Sequence, residues 1–370
     1  IAPLAPKTEA AKDARARWNG PVGTAAGASG EVFVDCLFGS GLARPLIPEH
    51  VLLLRDLAAR HRLSVAVDLP SGIATDSGVV LNERLPAFDL TLALGAWKYA
   101  HWSLPGRALM GQMRLVPIGI GPVERAAQLI ARPRIPAPAA DSHKYRRGLL
   151  GIVGGAMPGA SLLAAAAAQH AGAGYVKLLA PTADPRTPPD VVTDTAPLPE
   201  ALADTRLAAV LVGPGLGRGE GAQMTLTEAL AQSRAVVIDA DALMLLARGM
   251  LPEGRPVLAT PHDGELEALC RSFGIIAEGR RARTKAPDTC IAAPDGRLAL
   301  APPAPSWLSV AGTGDVLAGI AASRMATGRD PFTAACEAVW LHAEAARRAG
   351  PAFTPSALAQ AVSAALAACV

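Results

Sequence analysis

Gly312-Thr313-Gly314-Asp315 stands at the head of an apolar stretch, Thr313–Thr327, that reads as a helix. Free amide N–H groups at a helix start, with the positive end of the helix dipole behind them, can hold a phosphoryl group. Asp315 then lies beside an anion hole, placed to take the proton of a hydroxyl as that hydroxyl is phosphorylated. A glycine-rich helix start can also be a plain turn. The compact Gly-Thr-Gly-Asp with an Ala- and Gly-rich helix behind it favours the site. Gly213-Pro-Gly215-Leu-Gly217 follows an apolar strand, where three glycines either admit a ligand close to the backbone or simply turn the chain. Asp239 and Asp241 lie at another strand's end, as ligand contacts or helix caps. Thr260-Pro-His262-Asp263-Gly-Glu265 ends a strand and opens a helix that Thr260 or Asp263 could cap. His262 and Glu265 sit one helical turn apart, but no further His or Cys is near enough in sequence to complete a zinc shell.

Two earlier segments repeat one arrangement. Val32-Phe-Val-Asp35 is followed by Gly39-Ser40-Gly41, and Val65-Ala-Val-Asp68 by Ser71-Gly72. Strand-end aspartates with small hydroxylated turns suit a nucleotide and a hard cation on one sheet edge, although a single such aspartate is usually a cap. Lys98 follows a third strand and could neutralise a phosphate or merely be exposed.

These residues need elements to position them. Val32–Val34, Ser64–Val67, Leu90–Leu94 and Met113–Ile118 are short apolar runs, and Glu49–Arg60 has helical spacing. After Pro133, Pro136 and Pro138, which mark a linker over 131–140, strand-like runs recur at Leu149–Val153, Tyr175–Leu179, Ala208–Val212, Ala235–Ile238, Val257–Ala259 and Thr289–Ala293. Helix-like stretches follow at Thr313–Thr327, Pro331–Ala349 and Ser356–Cys369. Alternating strand and helix signals predict two α/β domains with parallel sheets, over residues 1–132 and 140–370.

Composition narrows the function. The 370 residues are 51% hydrophobic and 18% charged with a net charge of +3, a soluble globular balance too weakly basic to favour nucleic acid or an anionic membrane as partner. The longest apolar run, Ser161–Ala168, is too short to span a bilayer. Five scattered cysteines without a CxxC fit a reducing compartment, so a cytoplasmic location is expected.

Taken in order, the motifs resemble the bifunctional NAD(P)H-hydrate repair enzymes, which join an NAD(P)HX epimerase to an ADP-dependent (6S)-NAD(P)HX dehydratase. The likeness rests on His143-Lys-Tyr, Gly154-Gly-Ala-Met-Pro-Gly159-Ala160, Gly172-Ala-Gly174, Gly213 to Gly217, Asp239-Ala-Asp-Ala-Leu, Thr260-Pro-His262, Lys285 to Thr289 and Gly312 to Asp315. In the first half it rests on Asp35 through Pro45, Asp68-Leu-Pro-Ser71-Gly72, Asp76-Ser-Gly78, Lys98 and Pro105-Gly106. The resemblance implies a Rossmann-like epimerase-type domain followed by a ribokinase-like α/β domain. It implies that Ala160, Gly217, His262 and Asp315 line the hydrated dinucleotide, NADHX or NADPHX. Lys285, Ala286, Pro287, Asp288, Thr289, Gly312, Thr313 and Gly314 would face ADP, with ATP as an alternative and Mg2+ as companion.

In the first domain the family pattern makes Asp35 and Ser71 ligands of K+. Gly39, Ser40, Gly41, Leu42, Ala43, Arg44 and Pro45 would cradle the substrate's phosphates, and Asp68 would contact substrate as the acid/base group. One carboxylate with a hydroxyl and carbonyls suits a large monovalent ion better than Mg2+. The chain departs from the family in three places. No Asn-Asn-Gly-Gly-Asp-Gly loop precedes Glu31, residues 279–284 offer no buried strand, and Lys285-Ala286 replaces Lys-Gly; at the first gap either a segment is missing or the epimerase is inactive, and at the second further residues are expected. Self-association into a homo-oligomer is also expected. The rival reading is a ribokinase-like kinase of a vitamin precursor fused to a non-catalytic nucleotide-binding domain.

Overall fold

Short runs of Val, Leu and Ile between turn residues form parallel strands, which the intervening amphipathic or alanine-rich stretches cover as helices. A computed structural model describes all residues except 4, 7, 26, 27, 122 and 276–287. It divides into two units, the first spanning Ile1–Glu124 and taking in Asp288, the second spanning Arg125–Glu278 and Thr289–Val370.

The first unit opens with α1 (Glu9–Ala16), whose start is capped by the Thr8 hydroxyl. Then come β1 (Val32–Asp35), α2 (Pro48–Arg60), β2 (Leu63–Val67), β3 (Leu90–Leu94) and β4 (Gln112–Val116). The strands form one parallel sheet in the order β1-β2-β3-β4. Phe33, Leu54, Leu57, Ala66, Leu69, Ile73 and Met110 are buried together in its core, while Val32, Val34 and Leu63 are exposed. Crossovers between parallel strands bring Asp35 and Asp68 to the same sheet edge.

The second unit contains β5 (Gln128–Leu129), β6 (Leu149–Val153), α3 (Pro158–His170), β7 (Tyr175–Leu179), β8 (Val192–Asp194), α4 (Leu198–Leu202), β9 (Leu207–Val212), α5 (Glu220–Gln232), β10 (Val236–Ile238), α6 (Ala240–Leu245), β11 (Val257–Ala259), α7 (Asp263–Ser272), β12 (Cys290–Ala292), β13 (Leu298–Leu300), α8 (Thr313–Ala326), α9 (Pro331–Ala349) and α10 (Pro355–Ala367). Six of its strands make a parallel sheet in the order β11-β10-β9-β6-β7-β8, and β12, β13 and β5 make a small second sheet. The chain winds from β6 outward through β7 and β8, then returns to β9 on the other side of β6. The strand order thus reverses between β6 and β9, the topological switch point beside which ligands of such sheets bind. Helix α8 lies against α3 so closely that a Cβ at Gly319 would stand 2.2 Å from the Ala164 carbonyl oxygen.

The structure draws the domain boundary earlier than the prolines suggest. Strand β5 pairs with β13, Ile130 and Ile135 are buried in cores of the second unit, and the Ile135 N–H donates to the Cys369 carbonyl at 2.9 Å. The proline-rich segment is thus bound along the second unit and not a free linker. Proline cannot donate to a ladder, but the residues between prolines can.

Candidate active site

All four residues expected to line the hydrate lie in the second unit, and three of them follow strands of one parallel sheet, β6 beside β9 and β11 one strand further out. Ala160 follows β6, Gly217 follows β9 and His262 follows β11, while Asp315 opens α8. The loops after β6 and β9 cross backbone on backbone. The Met157 N–H donates to the Gly215 carbonyl at 2.9 Å, and a Cβ at Gly155 would sit 2.4 Å from Leu216 Cα. Only glycine permits that crossing, and it brings Ala160 beside Gly215 and Gly217 beside Ala156.

Asp241, at the start of α6, holds the Gly217 turn in place. One carboxylate oxygen accepts the Gly217 N–H at 3.0 Å and the other accepts Arg218 Nε at 2.7 Å. Its neighbour Asp239 is buried and accepts the Thr260 hydroxyl at 2.6 Å. Burial, with the nearby Glu265 and Asp315 charges, raises Asp239 to about 7. Asp315 is raised to about 6 by burial and by the Asp241 charge. Its carboxylate makes no hydrogen bond among the described residues, which leaves it open as a base.

The α8 turn beside it has the expected anion-hole geometry. Gly312 adopts φ 99°, a left-handed conformation that glycine takes without cost. The Thr313 N–H is used on the Val310 carbonyl at 3.3 Å, and the Val316 N–H points to Gly312. The Gly314 and Asp315 N–H groups meet no acceptor among the described residues, and a Cβ at Gly314 would have nothing within 4 Å. Two donors at a helix start thus face open space.

Two expectations change here. Thr313 was expected to face ADP, yet its side chain is buried and its hydroxyl donates to the Leu308 carbonyl at 2.8 Å. His262 itself, not Thr260 or Asp263, caps α7: its Nδ1 accepts the Glu265 N–H at 3.2 Å, while Glu265 returns a carboxylate to the His262 N–H at 2.9 Å. That reciprocal bond explains the one-turn spacing of His262 and Glu265, and among the described residues no group of three or more His, Cys, Asp or Glu could hold a metal ion. Asp288 belongs to the first unit, where its carboxylate accepts the Leu104 N–H at 2.6 Å. Thr289 lies in the second unit just before β12, and Lys285, Ala286 and Pro287 lie outside the described residues.

In the first unit the structure joins Asp35 to Ser71. The Ser71 N–H and hydroxyl both donate to the Asp35 carboxylate at 2.8 Å, the Leu37 N–H adds a third bond at 3.1 Å, and the Ser71 oxygen accepts the Phe38 N–H at 2.9 Å. Burial pushes Asp35 above the ordinary carboxylate range. With one carboxylate, one hydroxyl and the Phe38 carbonyl converging, the oxygens present fit part of the shell of a monovalent ion; they lack the charge that a dication demands. The Gly39–Pro45 segment is an irregular, mostly exposed loop, anchored where the Gly41 N–H donates to Thr75 Oγ1 at 2.8 Å.

Asp68 carries backbone strain, with φ 68° in a non-glycine residue at the end of β2. The segment after β3 holds it there. Lys98 Nζ donates to Asp68 Oδ1, the Leu94 N–H reaches the same oxygen at 3.1 Å, and His101 Nε2 donates to the Asp68 backbone carbonyl at 2.7 Å. Burial alone would raise Asp68, but the Lys98 ammonium and the Leu94 N–H hold it below the usual carboxylate range. The other carboxylate oxygen faces Gly39, whose Cβ would stand 3.7 Å away. Lys98 is therefore committed to Asp68 and not exposed to await a phosphate. Sequence reading had no means to pair the two, since thirty residues separate them.

Comparison with known proteins agrees with this layout. Residues 150–367 match the family described as NAD(P)H-hydrate dehydratase, and residues 5–100 match that described as YjeF-related protein N-terminus. The chain is 34% identical to the bifunctional NAD(P)H-hydrate repair enzyme Nnr of Salinibacter ruber, over 88% of its own length and 68% of that protein's. It is 33% identical to the Nnr of Gloeobacter violaceus, over 85% and 70% of the two lengths. Among solved structures, the ADP/ATP-dependent NAD(P)H-hydrate dehydratase from Bacillus subtilis, co-crystallised with ATP/Mg2+, is 25% identical with a TM-score of 0.56, covering 66% of this chain and 99% of that one. No described helix is long and apolar enough to cross a membrane.

Proposed function

The chain belongs to the bifunctional NAD(P)H-hydrate repair enzymes, and from that membership we propose how its own residues divide the work. The second unit dehydrates (6S)-NAD(P)HX at the expense of ADP, and the first interconverts the R and S hydrates. The observation that carries the dehydratase assignment is Asp315: a carboxylate raised to about 6 that, like the two amide donors beside it, meets no hydrogen-bond partner among the described residues.

Asp315 takes the proton of the ring hydroxyl as that oxygen is phosphorylated. The Gly314 and Asp315 amides hold the charge that develops on the moving phosphoryl group. ADP, when bound, supplies the phosphoryl group that turns a poor leaving group into a good one. The ring nitrogen's lone pair then breaks the C–O bond and expels phosphate, leaving an iminium. Loss of a proton from the neighbouring ring carbon to the departing phosphate restores the C=C bond and the lone pair; the protein's task is to keep water out and the hydroxyl aligned. Ala160, Gly217 and His262 line the hydrate, with Asp241 fixing Gly217. Thr289 and the undescribed Lys285–Pro287 stretch are assigned to the nucleotide side. No described carboxylate set suits a dication, so Mg2+ is assigned to the nucleotide's phosphates and no step runs through it.

In the first unit, Asp68 is the acid/base group at the epimerising carbon, kept ionised by Lys98, and the Gly39–Pro45 loop meets the substrate's phosphates. Asp35 and Ser71 supply part of a K+ shell whose effect is to order that loop. Five scattered cysteines without a CxxC support a cytoplasmic setting.

The test is recovery of dihydronicotinamide absorbance from a mixed hydrate pool with ADP, ATP or neither. Asp315→Asn should slow the reaction about 10²- to 10⁴-fold while ADP still binds. Accumulation of a stable phosphorylated compound in place of reduced cofactor would instead identify a small-molecule kinase.

A further inference from the structure

The first turn of α8 has little of its own with which to hold position. Gly312 and Gly314 have no side chains, and the Asp315 carboxylate makes no hydrogen bond among the described residues. Thr313 must supply the grip, and it is held on every polar atom. Its hydroxyl lies 2.8 Å from the Leu308 carbonyl oxygen and 2.9 Å from that of Val310, and its N–H reaches Val310 at 3.3 Å. The remaining hold comes from another helix. His342, in the middle of α9 and buried, places ring Nε2 2.9 Å from the Thr313 carbonyl oxygen. A carbonyl only accepts, so Nε2 carries the proton and the ring donates, using the lone pair that the helix's own N–H leaves over.

Helix α9 is a firm base for such a strut. Near the other end of α8, Arg324 Nε donates to Glu337 Oε2 at 2.6 Å, and Arg329 Nε lies 3.2 Å from Glu337 Oε1. Helix α8 is thereby tied to α9 in its last turn by a buried ion pair and in its first turn by His342. Burial also keeps the imidazole neutral, at about 4. An imidazolium in that place would meet the positive end of the α8 dipole, whereas a neutral ring donates without opposing it.

Building on the dehydratase reading, we propose that His342 is a positioning residue of the phosphoryl-transfer site. By tying the Thr313 carbonyl to α9, it fixes the Gly314 and Asp315 amides and the Asp315 carboxylate in the geometry the reaction needs. It touches neither substrate nor nucleotide and acts through the backbone of Thr313.

The experiment compares the full chain with His342→Leu and His342→Gln, measuring ADP affinity and stoichiometry by calorimetry and turnover at saturating ADP. His342→Leu should keep the wild-type ADP stoichiometry and a hydrate KM within about twofold. Its kcat should fall about 10- to 100-fold and its ADP affinity about tenfold, because a small misplacement of a catalytic group is enough to cost that much. His342→Gln, whose amide N–H can reach the same carbonyl, should return both quantities to within about threefold of wild type. Wild-type turnover in His342→Leu overturns the proposal, as does a Gln variant no better than Leu or a loss that tracks falling ADP stoichiometry. Should wild-type protein bind ADP yet leave the hydrate untouched, the repair reading fails, and His342 is judged on ADP affinity alone. Should His342→Leu not fold, nitrogen NMR of the wild-type ring decides: a neutral Nε2–H tautomer supports the strut, and an Nδ1–H tautomer removes it.

Discussion

Replacing Asp241 by Asn leaves an oxygen for the Gly217 N–H but removes a negative charge from beside Asp315. Burial and that charge together raise Asp315 from 3.8 to about 6, and burial is the larger cause. Asp241 is therefore the smaller of the two contributors to the rise. A base works only when ionised. In the wild-type protein, dehydration should therefore be full above neutrality and fall as pH drops through about 6, to about a tenth one unit below that midpoint. In Asp241→Asn the midpoint should move to lower pH by a fraction of a unit. The assay is kcat/KM for the hydrate against pH, at saturating ADP and constant ionic strength. A wild-type profile that stays flat through this range, or a variant midpoint that stays put or rises, would refute the assignment of Asp315 as the base whose ionisation Asp241 governs.

The buried Asp239 makes a second pH prediction: its raised folded-state value of about 7 gives stability that is complete below the unfolded value of 3.8 and is lost as pH rises through 7. The melting temperature of the wild-type protein should thus decline toward alkaline pH, and Asp239→Asn, which still accepts the Thr260 hydroxyl, should flatten that decline. Lys98→Met should raise Asp68 toward its burial-driven value and move the acid limb of R-to-S hydrate conversion to higher pH, with Lys98→Arg restoring most of it; an unchanged profile removes Lys98 from the site. Gly155→Ala should lower the stability measured by urea unfolding by about 1–3 kcal/mol and abolish dehydration, since its Cβ would meet Leu216 Cα at 2.4 Å; a soluble variant with wild-type turnover would show that the two loops can separate without harm.

Local signals in the chain carried the strands well, because each apolar run of the parallel sheets is bounded by glycine, proline or aspartate. Leu149–Val153, Tyr175–Leu179 and Val257–Ala259 are strands over the same residues as their apolar runs. The chemistry-bearing turns were equally legible, because Gly312 to Asp315 and Gly213 to Gly217 must contain glycine to be built at all. Alanine-rich α3 was not legible as a surface helix: buried on much of its girth by α8 and α10, it has no polar face to set a period. Two-residue β5 was hidden for the opposite reason, as it exists only through its partner β13. The supports of the site, Asp241 under Gly217, Lys98 on Asp68 and His342 under Thr313, join residues 24 to 30 positions apart, and no spacing rule connects them. Folding, not motif, brings these groups together.

The crossing of the β6 and β9 loops has a consequence for how such a protein changes over generations. The crevice there is gauged by main chain against main chain, so its width does not depend on which side chains happen to border it. Drift at Ala156, Met157 or Arg218 can alter what the rim recognises while the gap itself stays constant. A lineage is therefore free to retune its preference among related dinucleotides by single substitutions on the rim. Changing the size of the molecule admitted would require both loops to be rebuilt at once, a step that no one mutation provides.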